Sequence, residues 1–334
     1  MRLDPVQTHR PASAPTSPVA AERLAGVRRP GTIDDPVVPA AELAMWAPRG
    51  RTTPLPADNT RVAAAGAARV AAQAPDRPPP DARTLALLSQ DVYNNAATPP
   101  AGWRVAGKAD LAALGIPKSM LDNPASGFRA RIYAEGTGAD ACYVVAFRGS
   151  TTRGDWIANA QQAVGAESDH YRRALLIGER VSRASGVDVH FTGHSLGGGL
   201  ASAGALAAGR DGTTFNAAGL HARTIDGAAQ IRLAAGIGAA PDVHAFYVRG
   251  DILSALQDGG DRMVGALLGR VVGSLAGPVG GLVGELVGRQ IDAPEAYGTR
   301  MALDAHRPDG KSWWQDNPVA RHGMDWVLAS LPPR

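Results

Sequence analysis

Short runs of apolar residues predict the β-strands of a sheet. Residues 128–134 alternate between apolar and polar side chains, and the glycines in 136–140 predict a turn after them. The next run, 141–147, is almost wholly apolar, which is typical of a central strand covered by helices on both faces. Residues 187–191 alternate again, and 243–248 form a further apolar strand.

Other segments carry apolar residues at helical spacing. Residues 84–93 predict a helix that covers one side of the core, and 167–185 predict an amphipathic helix that leads into the strand at 187–191. An Ala- and Leu-rich helix is predicted from Leu196 onward. Residues 323–331 predict a short terminal helix packed on the sheet.

Residues 1–82 differ from the rest of the chain. They are rich in Pro, Ala and Arg, and Trp46 is their only aromatic residue. Such a composition buries too little apolar surface to offset the entropy of ordering. We expect a largely disordered leader with short helices at 40–46 and 60–74, serving either as a linker or as a delivery segment read by a secretion machine or chaperone. The folded domain is expected at 83–334.

No apolar stretch of the signal-peptide kind lies near the first residue, and Arg28-Arg29 alone does not make a twin-arginine signal. We therefore expect either specialised export without a Sec signal or a cytoplasmic location.

Composition narrows the classes of partner and the redox chemistry. The net charge of +3 is a mild basic excess, and no basic patch with interleaved aromatic residues is present, which excludes a nucleic-acid footprint. The single cysteine, Cys142, cannot form an internal disulfide and lies in an apolar run, so we expect a buried core residue.

A Gly-x-Ser-x-Gly sequence at 193–197 lies between the predicted strand and the predicted helix that follows it. A change from strand to helix within a few residues forces the middle residue into strained backbone geometry, which neighbours without a Cβ permit. The hydroxyl of Ser195 would then stand at the end of the sheet. An ordinary glycine-rich turn is the alternative, and the strand–helix context favours the nucleophile.

Three motifs resemble those of a known family. The block GHSLGG at 193–198 resembles the nucleophile elbow of class 3 lipases, which are α/β-hydrolases. FRGS followed by DWIxN, within 147–159, is similar to the oxyanion loop and the start of the lid in that family, and TFNxxG at 214–219 is similar to a segment of bacterial relatives. The resemblance covers about 85–331. It implies an α/β-hydrolase fold, with a mainly parallel central sheet and helices on both faces, and neither metal nor cofactor.

The resemblance also implies roles for individual residues. Ser195 would be the nucleophile, and the oxyanion site would be formed by Ser150 and the Leu196 N–H group. Trp156 and Ile157 would belong to a lid that faces the lipid interface.

An α/β-hydrolase of this kind has a catalytic triad of a serine, an acid and a histidine, in that order along the chain. The acid and the histidine base are therefore expected after Ser195. Asp251 directly follows the apolar strand at 243–248, and His322 precedes the predicted terminal helix. His306 is the alternative base, but it lies before a Pro-Asp-Gly turn, and a general base needs a fixed position. His194 is expected to brace the elbow. The competing acids are Asp226, Asp242, Asp258 and Asp261.

Residues 263–289 form a glycine-rich apolar insert. Glycines recur every four residues, and 14 uncharged residues separate Arg270 from Glu285. A bilayer span needs about 20 apolar residues, and Pro278 would interrupt the helix, so we expect no membrane anchor. Either a packed helical hairpin or a flap that inserts shallowly into a membrane remains open.

These expectations describe a serine hydrolase of lipid carboxyl esters, most simply a bacterial phospholipase of the A1 type and a secreted effector. Its partners would be a lipid or phospholipid membrane and a secretion chaperone or immunity protein, with no nucleic acid. Two alternatives stay open. One is a soluble carboxylesterase or acyltransferase, and the other is a membrane-active protein that uses residues 263–289.

Overall fold

The computed structural model describes residues 79–149, 168–257 and 294–332. The predicted leader helices, the predicted lid and the glycine-rich insert lie outside these residues. The strands are β1 (Arg104–Val105), β2 (Asp122–Asn123), β3 (Phe128–Glu135), β4 (Cys142–Phe147), β5 (Asp188–His194), β6 (Gly212–Phe215), β7 (Val243–Val248) and β8 (Thr299–Leu303).

The α-helices are α1 (Ala82–Asp91), α2 (Lys108–Ala113), α3 (Asp169–Arg183), α4 (Leu196–Ala208), α5 (Ala222–Ala234), α6 (Ile252–Gln257), α7 (Pro318–Arg321) and α8 (Met324–Ser330). Short 3-10 turns lie at Lys118–Met120, Gly138–Asp140 and Trp313–Gln315.

Polar residues just before two of the helices fix where they begin. The Asp81 carboxylate accepts hydrogen bonds from the Thr84 N–H group at 2.9 Å and the Thr84 hydroxyl at 2.8 Å, which starts α1. Ser168 accepts the Tyr171 N–H group in the same way at the start of α3. These caps satisfy N–H groups that have no acceptor within the helix.

Within the described residues the strands form one mixed sheet in the order β1-β3-β4-β5-β6-β7-β8, with β2 paired to β3 beside this path. β3 pairs antiparallel with β1, β2 and β4, whereas β4 through β8 are parallel neighbours. The carboxyl ends of β5, β6 and β7 therefore lie side by side, where ligands of open α/β sheets bind.

Both faces of the sheet are covered. Tyr143, Val145 and Phe147 of β4 pack in a core cluster with residues of α3 and α4. The alternate residues, Cys142 and Val144 among them, pack in a second cluster with residues of α1 and α8. The predicted α/β-hydrolase class, with a mainly parallel sheet and helices on both faces, is confirmed.

Most predicted elements are present with shifted ends. β5 extends beyond the predicted 187–191 to His194, because its pairing with β6 continues as far as His194 opposite Phe215. α1 begins at Ala82, one residue before the predicted domain start. Cys142 is buried, as the sequence predicted. In the described part of the chain, no helix is both long enough and apolar enough to cross a bilayer.

Candidate active site

The turn between β5 and α4 holds Ser195 in an unusual backbone conformation. Its φ is 59° and its ψ is −129°, a region that non-glycine residues seldom adopt and that costs on the order of 1–3 kcal/mol. The Ser195 N–H group donates to the Phe215 carbonyl at 3.1 Å, and the Ser195 carbonyl accepts the Ala218 N–H group at 3.0 Å. The end of β6 therefore holds the strained turn in place.

Steric contacts explain why the first and last positions of the predicted Gly-x-Ser-x-Gly motif are glycines. A Cβ atom on Gly193 would overlap the Gly197 carbonyl, and one on Gly197 would overlap the Phe147 carbonyl at the end of β4. Both obstacles are backbone atoms, which cannot move aside. The close approach of α4 to β4 and β5 thus requires glycine at both positions.

The structure brings Ser195, His322 and Asp251 together. The Ser195 Oγ atom lies 2.9 Å from His322 Nε2, and His322 Nδ1 lies 2.6 Å from Asp251 Oδ1. Asp251 follows β7 through the two-residue turn Arg249-Gly250, in which Gly250 has a φ of 77°, and His322 follows α7. Three segments far apart in sequence thus meet at the carboxyl ends of β5 and β7.

Asp251 has the surroundings of a charged orienting group. It is fully buried, and its second oxygen accepts the N–H and hydroxyl groups of Ser254, each at 2.9 Å. Burial acts to raise the pKa of Asp251, but the hydrogen bonds from His322 and Ser254 outweigh it and hold the pKa below its usual value. The ionised carboxylate accepts from His322 Nδ1–H and leaves Nε2 as an acceptor for the serine hydroxyl.

The alternative base and acids lie apart from this group. His306 is exposed, with its Nδ1 atom 3.0 Å from the Asp304 carbonyl and its N–H group bonded to Ser330. Asp226 and Asp242 are exposed as well. Asp258 and Asp261 lie outside the described residues.

One of the two predicted oxyanion donors can be located. Leu196 is the first residue of α4, so its N–H group has no acceptor within the helix. The other predicted donor, Ser150, lies outside the described residues, as do Trp156 and Ile157. Gly149, the residue before Ser150, is described, and its N–H group donates to the Tyr93 hydroxyl at 3.1 Å.

Two side chains that the sequence did not single out contact the residues around Ser195 and His322. The Tyr93 hydroxyl lies 3.0 Å from His194 Nδ1, and Asn216 Nδ2 donates to the His322 carbonyl at 3.1 Å. His194, expected to brace the elbow, also reaches this carbonyl through Nε2 at 2.7 Å. Burial lowers the pKa of His194 to about 3, so its imidazole is neutral at physiological pH.

A hydroxyl, an imidazole and a carboxylate in this order can carry out nucleophilic acyl transfer, because the imidazole can take the hydroxyl proton while the carboxylate stabilises the resulting cation. The described residues contain no group of three or more His, Cys, Asp or Glu side chains placed to hold a metal ion.

Residues 84–309 match a phospholipase-like family described as the Tle-like phospholipase domain. This match includes Ser195 and Asp251 and ends before His322. It agrees with the lipase family that the GHSLGG motif predicted.

A curated relative is the extracellular phospholipase A1 of Serratia liquefaciens, which is 39% identical over 142 residues. That alignment covers 42% of this chain and 43% of the relative, so the chain matches less than half of the relative's length. Among solved structures, the M37 lipase is similar at 12% identity with a TM-score of 0.34, over 61% of this chain and 73% of the lipase.

Proposed function

Because this chain belongs to the family of Tle-like phospholipase domains, we propose that it hydrolyses the carboxyl esters of phospholipids, as a serine enzyme of the A1 type. The observation that carries the proposal is the hydrogen-bonded order of Ser195, His322 and Asp251 at the ends of the parallel strands. The relative from Serratia liquefaciens is named a phospholipase A1, and this supports the class of substrate.

The proposed reaction has two halves. Ser195 Oγ attacks the ester carbonyl carbon while His322 Nε2 takes the hydroxyl proton, and the Asp251 carboxylate stabilises the imidazolium. When the tetrahedral intermediate collapses, the imidazolium gives its proton to the departing lysophospholipid alkoxide, which leaves an acyl group on Ser195. Water, deprotonated by His322, then attacks the acyl carbon. The bond between this carbon and Ser195 Oγ breaks, the imidazolium returns the proton to Oγ, and the fatty acid is released.

The negative charge on the tetrahedral intermediate needs hydrogen-bond donors. We assign this role to the Leu196 N–H group, whose place at the start of α4 also lends it the positive end of the helix dipole. The second donor is proposed to be Ser150, on the basis of the FRGS motif. Trp156 and Ile157 are proposed to form the lid over this site.

Phospholipid hydrolysis endangers the membranes of the cell that makes the enzyme. The relative's name places that protein outside the cell, and we propose the same destination for this chain. A chaperone or immunity protein that blocks the active site before release is proposed as its protein partner.

The proposal is tested with vesicles of phosphatidylcholine that carry distinguishable fatty acids at the sn-1 and sn-2 positions and enclose a self-quenching dye. The full chain is compared with Ser195→Ala and with a matched control, Ser202→Ala. Ser202 lies on the same helix, where its hydroxyl donates to the Gly198 carbonyl at 3.1 Å.

Release of the sn-1 fatty acid by wild type and by Ser202→Ala, with a loss of about 10⁶-fold in Ser195→Ala, is the expected result. Equal release from both positions would contradict the A1 assignment. Hydrolysis of dissolved esters without release from vesicles would point to a soluble esterase. Dye leakage that persists unchanged in Ser195→Ala would point to a membrane-active protein.

A further inference from the structure

The backbone carbonyl of His322 is held by two buried side chains. It accepts the Nε2–H group of His194 at 2.7 Å and the Nδ2–H group of Asn216 at 3.1 Å. Asn216 donates as well to the carbonyl of Arg321 at 3.1 Å. The position of the His322 main chain, and with it the origin of the imidazole, thus depends on side chains from the ends of β5 and β6.

The proton positions follow from the acceptors. A carbonyl can only accept, so His194 Nε2 must carry a proton, and a neutral imidazole then has a bare Nδ1. The Tyr93 hydroxyl has one hydrogen and lies 3.0 Å from this Nδ1 atom, compared with 3.4 Å from the His194 carbonyl. Tyr93 therefore donates to Nδ1, and its oxygen accepts the Gly149 N–H group at 3.1 Å.

These hydrogen bonds form a series in which every donor points the same way. The series runs from the Gly149 N–H group through the Tyr93 hydroxyl and the His194 imidazole to the His322 carbonyl. Gly149 is the residue before Ser150, so the series joins the start of the proposed oxyanion loop to the residue proposed as the base. Hydrogen bonds arranged in series polarise and strengthen one another, most of all in a buried site.

Asn216 is fixed from its other side. Its Oδ1 atom accepts the Val248 N–H group of β7 at 2.9 Å, which turns the amide nitrogen toward His322. The residue is fully buried and has a φ of 42°, an uncommon backbone conformation for a residue other than glycine. Its backbone N–H group donates to the Phe246 carbonyl at 2.8 Å. These contacts hold the amide rigidly between β6, β7 and His322.

We propose that Tyr93 and Asn216 are positioning residues for the reaction. Together with His194 they set the distance between the His322 imidazole and Ser195, and Tyr93 sets the start of the oxyanion loop by the same contact. The Tyr93 hydroxyl bonds to His194 and Gly149, and the Asn216 amide bonds to the His322 carbonyl, so both would act through the residues that they hold. The inference rests on the proposed function, because it concerns how that site is held in register.

The first test removes single hydrogen bonds and separates kcat from KM on a dissolved short-chain ester. Tyr93→Phe keeps the ring and deletes the hydroxyl. Its matched control is Tyr133→Phe, which deletes a hydroxyl that packs on the same side of the sheet but donates to Asp91, at 2.7 Å, rather than to His194. We expect kcat to fall about tenfold in Tyr93→Phe with KM within about twofold, and to stay near wild type in the control.

A second pair of variants separates the two ends of His194. His194→Gln places an amide N–H group where Nε2–H lies and so can still donate to the His322 carbonyl, whereas His194→Asn can replace only the Nδ1 acceptor. We expect His194→Gln to keep kcat at least tenfold above His194→Asn at equal thermal stability. Retention by the glutamine variant is rescue by a conservative change, which a purely structural role does not predict.

The outcomes distinguish this inference from the proposed function. If Ser195→Ala is inactive but Tyr93→Phe matches Tyr133→Phe, the positioning role is wrong and the catalytic site stands. If kcat follows the melting temperature across all four variants, the contacts are structural only, and the inference also fails. If Ser195→Ala hydrolyses the ester as fast as wild type, the proposed function itself is wrong.

Discussion

Ser195 and Asn216 are the two non-glycine residues with a positive φ among the described residues, and they directly follow the adjacent strands β5 and β6. Strained conformations persist only where the surroundings over-determine them. Here the main-chain bonds from β6 and β7 do so, as do the close contacts at Gly193 and Gly197. The strain is therefore concentrated at the residues that present a hydroxyl and hold the proposed base.

The assignment of the base can be tested with the two late histidines. His322→Ala should lower kcat by about 10⁴-fold or more on a dissolved ester, because it removes the group proposed to take the serine proton. His306→Ala should stay within about twofold of wild type, since His306 is exposed and bonded to Asp304 and Ser330. The reverse order of these two losses would show that His306 is the base.

A buried histidine away from the site predicts a pH-dependent stability. Burial, with a smaller contribution from His244, lowers the pKa of His190 to about 4, whereas an unfolded histidine titrates near 6.5. Between these values the unfolded chain binds the extra proton. The contribution of neutral His190 to the free energy of unfolding is therefore complete above pH 6.5 and is lost as the pH falls toward 4.

Denaturant titrations of wild type and His190→Gln at pH 4 to 7 would measure this loss. The slope of the free energy of unfolding against pH should fall in the variant by up to about 1.4 kcal/mol per pH unit, which is the contribution of one proton. Identical slopes would mean that His190 is protonated in the folded protein.

At the scale of elements, the sequence predicted what carries a strong apolar pattern. β4 and β7 are apolar runs and the first half of β5 alternates, and the ends of β5 and β7 led directly to Ser195 and Asp251. β8 could not be predicted, because only one of its five residues is buried and it has no such run. α5 was missed for a similar reason, since Ala228 and Arg232 alone are fully buried in it.

The contacts of Tyr93 and Asn216 could not be predicted either. Tyr93 meets His194 across 101 residues, and Asn216 meets His322 across 106. A local pattern contains no information on such pairings, which depend on the order of strands in the sheet. The TFNxxG motif was recognised without any indication of what its asparagine does.

The 3-10 turn Trp313–Gln315 offers a prediction about the substrate surface. Trp313 and Trp314 are 74% and 68% exposed, and Val319 on the helix that leads to His322 is 61% exposed. Tryptophan side chains favour the boundary between lipid and water. If the substrate is a bilayer, this turn should contact it.

Replacing Trp313 and Trp314 together by serine should lower hydrolysis of vesicles at least tenfold more than hydrolysis of a dissolved ester, because apolar contact with lipid is worth about 25 cal/mol per Å². Val105→Ser is the control, since Val105 is also exposed but lies on β1 at the opposite end of the sheet path from β8. Equal losses on both substrates would show that the tryptophans do not contact lipid.

At the scale of the whole molecule, helix α1 near the start of the described residues is hydrogen-bonded to the segment at their end. The Arg83 guanidinium of α1 donates to the carbonyl of Leu328 at 3.1 Å and to that of Leu331 at 3.4 Å, next to the helix that follows His322. Asp81 caps the same helix. The boundary that matters for stability should therefore lie just before Asp81.

A truncation series tests this boundary. Deleting residues 2–78 should leave kcat on a dissolved ester within about twofold, because their Pro-, Ala- and Arg-rich composition predicts a segment that does not join the core. Asp81→Ala in the shortened chain should lower the melting temperature by about 3 °C, the expected effect of losing one helix cap in a domain of this size. A shortened chain that unfolds well below the full chain would show that the leader packs on the domain.

The central claim is that His322 and Asp251 activate the hydroxyl of Ser195. A fluorophosphonate reacts covalently with an activated serine, and mass spectrometry of the digested protein locates the adduct. We predict one adduct per chain, on Ser195, formed at least 10³-fold more slowly in His322→Ala and unchanged in rate in His306→Ala. An adduct on another residue, or labelling of Ser195 at the same rate without His322, would contradict the account.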